Sequence, residues 1–332
     1  MNSNIYVVRA SHMQPFFYTL NNLEVPIEPL LENVGLALSQ FEDPEALIPE
    51  APLWAFVELA SKKLSLPHFG FLVTENVCLD SYGVFGEHLC LAKNLETALS
   101  RFINNLNTHV NFPNYWLEEN DGFVWLCRKG TPGIEKGKWV IEQHVISFLI
   151  ELVRVYAGKY WQPQIVKFHS DNLVGIEHAK SVAKSKILKG QAFGAIAIEE
   201  KLLYESSKMN KPNYRTEVLN EKIPIDFDLT LKQLLQQGYF GNEITAEIVA
   251  NKMQVNLRTL QRRLKDQNTT LQQLIDDVKY NIAQSLLIEK KLSVQQVSKQ
   301  LGYCDKSNFT RAFKRWSGYT PKEFRKVNLD NN

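Results

Sequence analysis

The last 90 or so residues of the chain contain one helical unit twice, over 245–267 and again over 293–318. Val249, Met253, Leu260, Arg262 and Leu264 of the first copy fall on Val297, Leu301, Phe309, Arg311 and Phe313 of the second. The offset is 48 residues before the turn and 49 after it. Apolar positions at this spacing bury one face of each helix. The repeat therefore restricts this part of the chain to pairs of packed helices joined by tight turns. Paired units of that shape, helix-turn-helix units, place their second helix in the major groove of DNA.

Local signals bound each helix. Thr245, Asn256 and Asp305 stand where N-caps are needed, and Thr270-x-x-Gln273 and Ser293-x-x-Gln296 have the form of capping boxes. Phe309, Phe313 and Trp316 follow at i, i+4 and i+7, the spacing of a burial face rather than of a base-stacking platform. The outward set in the first copy is Arg258, Gln261 and Arg262. Arginine bridges guanine O6 and N7, and glutamine bridges adenine N6 and N7. In the second copy the outward set is Lys306, Ser307, Asn308, Thr310 and Arg311. There asparagine and arginine suit base edges, while lysine, serine and threonine suit phosphate. Arg263, Lys265, Lys314, Arg315 and Lys322 are expected to add phosphate contacts. Between the copies, residues 270–289 read as one helix of about 30 Å. That is close to the ~34 Å of one DNA turn, so one chain can reach two successive grooves, with some DNA bending if the rod falls short.

Charge agrees with this reading. Residues 220–332 carry 18 Lys and Arg against 12 Asp and Glu, a net of +6, whereas residues 1–219 carry 20 against 24, a net of −4. A basic third beside an acidic body points to a polyanion partner for the third. The four cysteines, Cys78, Cys90, Cys127 and Cys304, form no C-x-x-C pair and no disulfide framework, which fits a reducing compartment. The N-terminus shows no secretory pattern, and the most apolar region, 139–157, is broken by Glu142, Gln143, His144, Glu151 and Arg154. A cytoplasmic location without membrane attachment is expected.

The first two-thirds of the chain is mixed. Residues 27–34, 53–64, 95–109 and 139–156 read as helices, and 44–52 as a proline-punctuated loop. A hairpin is expected over 115–127 about Asn120-Asp121-Gly122, with short strands at 164–168 and 195–198. The fold class is thus an α+β N-terminal domain plus an all-α C-terminal domain with two helix-turn-helix units. The expected boundaries are 1–204 for an effector-binding or dimerisation domain, 205–228 for a polar linker, and 229–328 for the DNA-binding domain.

The stretch SVQQVSKQLGYCDKSNFTRAFKRWSGYTPKEFR resembles the signature of the AraC/XylS family of bacterial transcription regulators. Gly302, Tyr303, Asp305, Ser307, Phe309, Arg311, Phe313, Lys314, Gly318, Thr320, Pro321, Phe324 and Arg325 carry the match. Val297-Ser298 replaces the usual Ile-Ala, and Tyr303 and Phe324 are exchanged aromatics. The resemblance implies base-contacting roles for Arg258, Gln261 and Arg262 in the first recognition helix. It implies the same for Ser307, Asn308 and Arg311 in the second, with Lys306 and Thr310 nearby. Residues 25–203, through VPIEPLLENVGL, LSLPHFGFLV and YGVFGEHLCLAKNLETALSRFINNL, are similar to the effector domain of a subset of that family, often labelled arabinose-binding.

Partners implied are promoter DNA, a small-molecule effector, RNA polymerase and a second copy of the chain, with no cofactor and no metal. The first 204 residues hold five of the six Trp and all seven His, groups that line a ligand pocket and equally fill a core. A domain that only dimerises or binds a protein partner, without a ligand, is the alternative, and neither the effector residues nor the direction of regulation is legible. An enzyme fused to a DNA-binding tail would want other strings. The Pro-Cys-His-Arg of alkylation-repair regulators is absent, His88-Leu89-Cys90 being the nearest, and no G-x-S-x-G or phosphate loop occurs.

Overall fold

Two β-strands at the start of the chain find each other across nearly forty residues in a computed structural model of the protein, which describes residues 5–75, 79–112, 114–208, 222–240, 244–253 and 255–329. Strand β1 (Val7–Arg9) pairs antiparallel with β2 (Leu47–Pro49), enclosing helices α1 (Gln14–Asn22) and α2 (Glu28–Glu32). The loop expected over 44–52 is therefore corrected. Its centre is a fully buried strand, and α3 (Glu50–Leu64) begins directly after Pro49. Pro52 sits in the first turn of α3, where a missing N–H breaks no helical bond.

Helices α4 (Phe69–Glu75), α5 (Gly83–Cys90) and α6 (Leu95–Asn105) follow. The helix expected over 95–109 tightens into a 3₁₀ turn at Leu106–Thr108. Asn94 caps α6, its side chain accepting from the Thr97 N–H at 3.0 Å. The hairpin expected at 115–127 is present as β3 (Tyr115–Asn120) and β4 (Phe123–Arg128). Asp121 and Gly122 both hold positive φ, as a two-residue turn of this twist requires.

Helix α7 (Lys138–Ala157) then crosses the sheet completed by β5 (Ile165–Lys167), β6 (Lys186–Leu188) and β7 (Gly194–Glu199). Strand order is β3-β4-β7-β5-β6, antiparallel apart from β5–β6. Alternation sorts the side chains. Leu126, Val166, Ile196 and Ile198 join the core around α7, while Trp125, Cys127, Ala195 and Ala197 form a second layer on the opposite face.

The chain divides into two compact units, with the change at Ile223–Pro224. Of the connection expected over 205–228, residues 209–221 lie outside the described residues, as does Cys78. On either side of that stretch, the Lys208 N–H donates to the Val155 carbonyl at 2.8 Å, and that of Ile223 to the Asn107 carbonyl at 2.9 Å. The second unit is helical throughout its described residues, with α8 (Phe227–Gln236), α9 (Ala246–Lys252), α10 (Leu257–Asp266), α11 (Leu271–Ile288), α12 (Val294–Gln300), α13 (Lys306–Ser317) and α14 (Pro321–Leu329). Ala283, Leu286, Leu287, Val294, Val297, Leu301, Phe309 and Phe313 make one of its cores.

Candidate functional site

Each half of the C-terminal unit is a capped helix pair. Thr245 Oγ1 accepts from the Ile248 N–H at 3.2 Å, and Asn256 Oδ1 from that of Arg258 at 2.8 Å. Both capping boxes close. Gln273 Oε1 accepts from the Thr270 N–H at 2.8 Å, and Gln296 Oε1 from the Ser293 N–H at 2.9 Å. Asp305 Oδ1 accepts from the Asn308 N–H at 2.7 Å and so fixes the first turn of α13.

These caps set the helix faces. On α10, Arg258, Gln261, Arg262 and Lys265 are exposed, while Leu260 and Leu264 are buried. On α13, Lys306, Ser307, Arg311, Lys314 and Arg315 are exposed, with Asn308 and Thr310 half-buried. Lys322, at the start of α14, is exposed. Arg311 and Asn308 are already joined, since the guanidinium donates to Asn308 Oδ1 at 2.5 Å while Asn308 Nδ2 donates to Asp305 at 2.8 Å. The Thr310 hydroxyl donates to the Lys306 carbonyl at 2.8 Å.

Arg263 is a correction. Expected as a phosphate contact, it is only 7% exposed, with its guanidinium 4.6 Å from the Phe227 ring centroid. It follows Leu260 by three residues and so shares the inward face of α10, where its plane covers α8. Arg315 is exposed but held, 2.7 Å from Asp276 on α11. No spacing rule pairs residues 39 apart in sequence, so Asp276 carried no signal of this contact.

The N-terminal unit holds an interior cavity of about 120 Å³. Its lining comes from positions as distant as His12, Glu50, Tyr82, Arg128 and His144, and no local motif announces such a set. One face of α7 supplies Ile141, His144, Val145 and Phe148 at helical spacing. Thr74 donates its hydroxyl to the Gly70 carbonyl at 3.3 Å, so the contact at 3.1 Å between Thr74 and His144 Nδ1 is donated by the imidazole. His144 Nε2 is then free to accept from the Tyr82 hydroxyl at 3.2 Å. Burial, with His12 and Arg128 nearby, lowers the His144 pKa to about 3. Burial and Arg9 lower that of His12 to about 4. Burial pushes Glu50 up to about 7, against a bond from Thr131 and the charge of Arg128.

These shifts set a pH dependence. An imidazole kept neutral in the fold protonates first in the unfolded chain, so its contribution is complete above pH 6.5 and is lost as pH falls below that. The loss is about 1.4 kcal/mol per pH unit for each such group. Glu50 works in the opposite sense: it takes up its proton in the fold from about pH 7 downward and so gains stability down to its unfolded value of 4.5. Burial lowers His109 in the same way, so three imidazoles outweigh one carboxyl, and the N-terminal unit should melt several degrees lower at pH 5.5 than at 7.5. Thermal melts across that range check this, and a flat or rising midpoint on acidification contradicts it.

Among the described residues no group of three or more His, Cys, Asp or Glu could hold a metal, and no helix is long and apolar enough to cross a membrane.

Comparison with known proteins follows the same division. Residues 249–327 match a helix-turn-helix domain family, and residues 25–206 match the N-terminal arabinose-binding domain of AraC transcription regulators. The ornithine utilization regulator of Pseudomonas aeruginosa is 36% identical over 81 residues, 24% of each chain. The transcriptional activator CfaD of Escherichia coli is 32% identical over 80 residues, 24% of this chain and 30% of that one. The match spans about a quarter of the length of such relatives. The crystal structure of the regulator CdpR from Pseudomonas aeruginosa aligns over 95% of this chain and 98% of its own, with a TM-score of 0.45 and 18% identity. Since the arabinose-binding-domain match alone covers more than half of its residues, the chain belongs to the AraC family of transcription regulators.

Proposed function

We propose that the protein is a ligand-controlled, sequence-specific DNA-binding transcription regulator and not an enzyme. The observation that carries this reading is the doubled, capped helix pair, which presents exposed Arg262 and Arg311 at equivalent places on α10 and α13. In this reading α10 offers Arg258, Gln261 and Arg262 to base edges, and α13 offers Ser307, Asn308 and Arg311, with Lys306 and Thr310 beside them. Lys265, Lys314, Arg315 and Lys322 take phosphate, and Arg263 supports α10 from within. The connecting helix has 18 residues, about 27 Å. That is short of one DNA turn, so engaging both grooves bends the duplex at a cost of a few kcal/mol. The N-terminal cavity favours a ligand-binding role for that unit over dimerisation alone. Promoter DNA, RNA polymerase and a second copy of the chain are the partners we assign, in the cytoplasm.

Footprinting across the genome of the source organism would identify bound promoters, and their absence would sink the reading. On a bound site, Arg262→Ala or Arg311→Ala should each cost about 1–3 kcal/mol and relax base preference locally. Lys314→Ala should instead weaken all sequences alike and flatten the salt slope by about one unit. Titrations at two salt concentrations separate the two behaviours. A sequence-selective loss for Lys314→Ala would place that side chain at a base edge.

A further inference from the structure

The walls and the mouth of the N-terminal cavity differ in chemistry. Phe16, Trp54, Phe85, Phe102 and Phe148, all buried, form an apolar box. Its volume of about 120 Å³ matches a single six-membered ring, since a ~150 Å³ apolar cavity holds benzene. Several polar groups on these walls are engaged with one another, and His12 Nε2, which has no hydrogen-bond partner among the described residues, can serve one hydroxyl only. His144 uses both ring nitrogens on Thr74 and Tyr82, and Thr131 donates to Glu50 at 2.7 Å. A polyol enclosed here would leave several hydroxyls without partners, each at a substantial desolvation cost.

Charge gathers at one end only. Arg128 shares strand parity with Leu126, which directs it to the inner face of the sheet, at the last position of β4. It is half-buried, and the next lining residue, Lys129, is exposed, so this end of the cavity reaches solvent. The guanidinium lies beside the Tyr115 phenol, and among the described residues no carboxylate comes within ion-pair distance of it. Glu50, the acidic group of the lining, is 6% exposed and is already bonded to Thr131. Burial favours its protonated form, which can donate to an anion. The mouth therefore holds two cations and a carboxyl that, in the protonated form burial favours against the Arg128 charge and the Thr131 bond, does not repel an anion.

We propose that this cavity binds a compact monocarboxylate with a flat apolar body, its ring enclosed by Phe16, Trp54, Phe102 and Phe148 and its carboxylate held by Arg128. The inference rests on the reading of the cavity as the effector site and narrows its ligand to a ring acid rather than a sugar. Arginine presents two parallel donors to a carboxylate, which supplies both strength and orientation.

The full chain can be titrated calorimetrically with benzoate, with benzyl alcohol (the same ring without the charge) and with L-arabinose. Benzoate should bind, and benzyl alcohol should bind roughly tenfold to hundredfold more weakly, the worth of a charge-assisted hydrogen bond. Arg128→Gln should bring benzoate down to the benzyl alcohol level while benzyl alcohol binding persists, which also shows that the variant is folded. Val145→Trp, which fills the box from α7, should abolish both. Equal binding of acid and alcohol, or tighter binding of arabinose, overturns the ring-acid assignment and leaves an effector cavity standing. Benzoate binding that survives Val145→Trp overturns it as well, because the acid then sits elsewhere. If none of the three binds, both the assignment and the cavity's role fail, while DNA titration still reports on the C-terminal unit.

Discussion

Phe313→Ala should destabilise the second helix-turn-helix unit by about 3–5 kcal/mol and sharply weaken specific DNA binding. Phe313 is fully buried, with the rings of Phe324, Tyr280, Phe309 and Trp316 at 5.3, 5.6, 5.7 and 6.3 Å between centroids. Removing a buried phenyl costs about 3–5 kcal/mol in transfer and cavity terms. A domain of this size commonly has only about 5–15 kcal/mol in total. The loss falls where α11, α12, α13 and α14 meet, so α13 loses the platform that aims Lys306, Ser307 and Arg311 outward. Arg311→Ala offers the contrast: the unit stays folded and only affinity falls. Urea melts followed by circular dichroism, paired with DNA titration, distinguish the two variants. If Phe313→Ala melts within about 1 kcal/mol of the parent, the aromatic stripe is not the core of this unit.

The helical third was legible in the sequence because its determinants are local. Caps and capping boxes act over three residues, and burial stripes repeat over three or four, so Thr245, Asn256, Thr270, Ser293 and Asp305 announce their helices without tertiary information. The hairpin was legible for the same reason, since Asp121-Gly122 fixes both the turn and the register. What was missed depends on distant partners. Leu47–Pro49 is a strand because Val7–Arg9 lies alongside it. Arg263 is buried because Phe227, 36 residues earlier, offers its ring. Arginine has a long apolar stem and a planar head, so its position on a helix does not say whether it faces water. The exposed faces of α10 and α13 were accordingly readable apart from Arg263, whereas the cavity was not. His12, Glu50, Tyr82, Arg128 and His144 converge only when β1–β2, the sheet and α7 are assembled.

Gly70→Ala should destabilise the N-terminal unit and reshape the cavity at once. A Cβ built on Gly70 would stand 2.1 Å from the Val140 carbonyl oxygen and 2.8 Å from Gln143 Cβ, so α4 must move away from α7. The obstacle at 2.1 Å is backbone, which cannot rotate aside as a long side chain does. Displaced packing of this kind costs about 1–3 kcal/mol. The movement also breaks the bond from the Gly70 N–H to Gln143 Oε1 at 3.0 Å and strains that from Gln143 Nε2 to the Pro67 carbonyl at 2.7 Å. Gln143 is fully buried, and polar atoms left unpaired there add a similar amount. For a unit of this size the combined loss lowers the melting midpoint by roughly 5–15 °C. One turn further along α4, Thr74 holds His144 Nδ1, so the same displacement releases the imidazole that orients Tyr82 at the cavity wall. Ligand-dependent stabilisation should therefore fall along with the midpoint, while DNA binding by the C-terminal unit persists. Gly130→Ala is the control, because Gly130 has no positive φ and nothing within 4 Å of the added Cβ, and should lie within about 0.5 kcal/mol of the parent. Matching midpoints for the two variants would mean that α4 and α7 do not approach as closely as Gly70 allows.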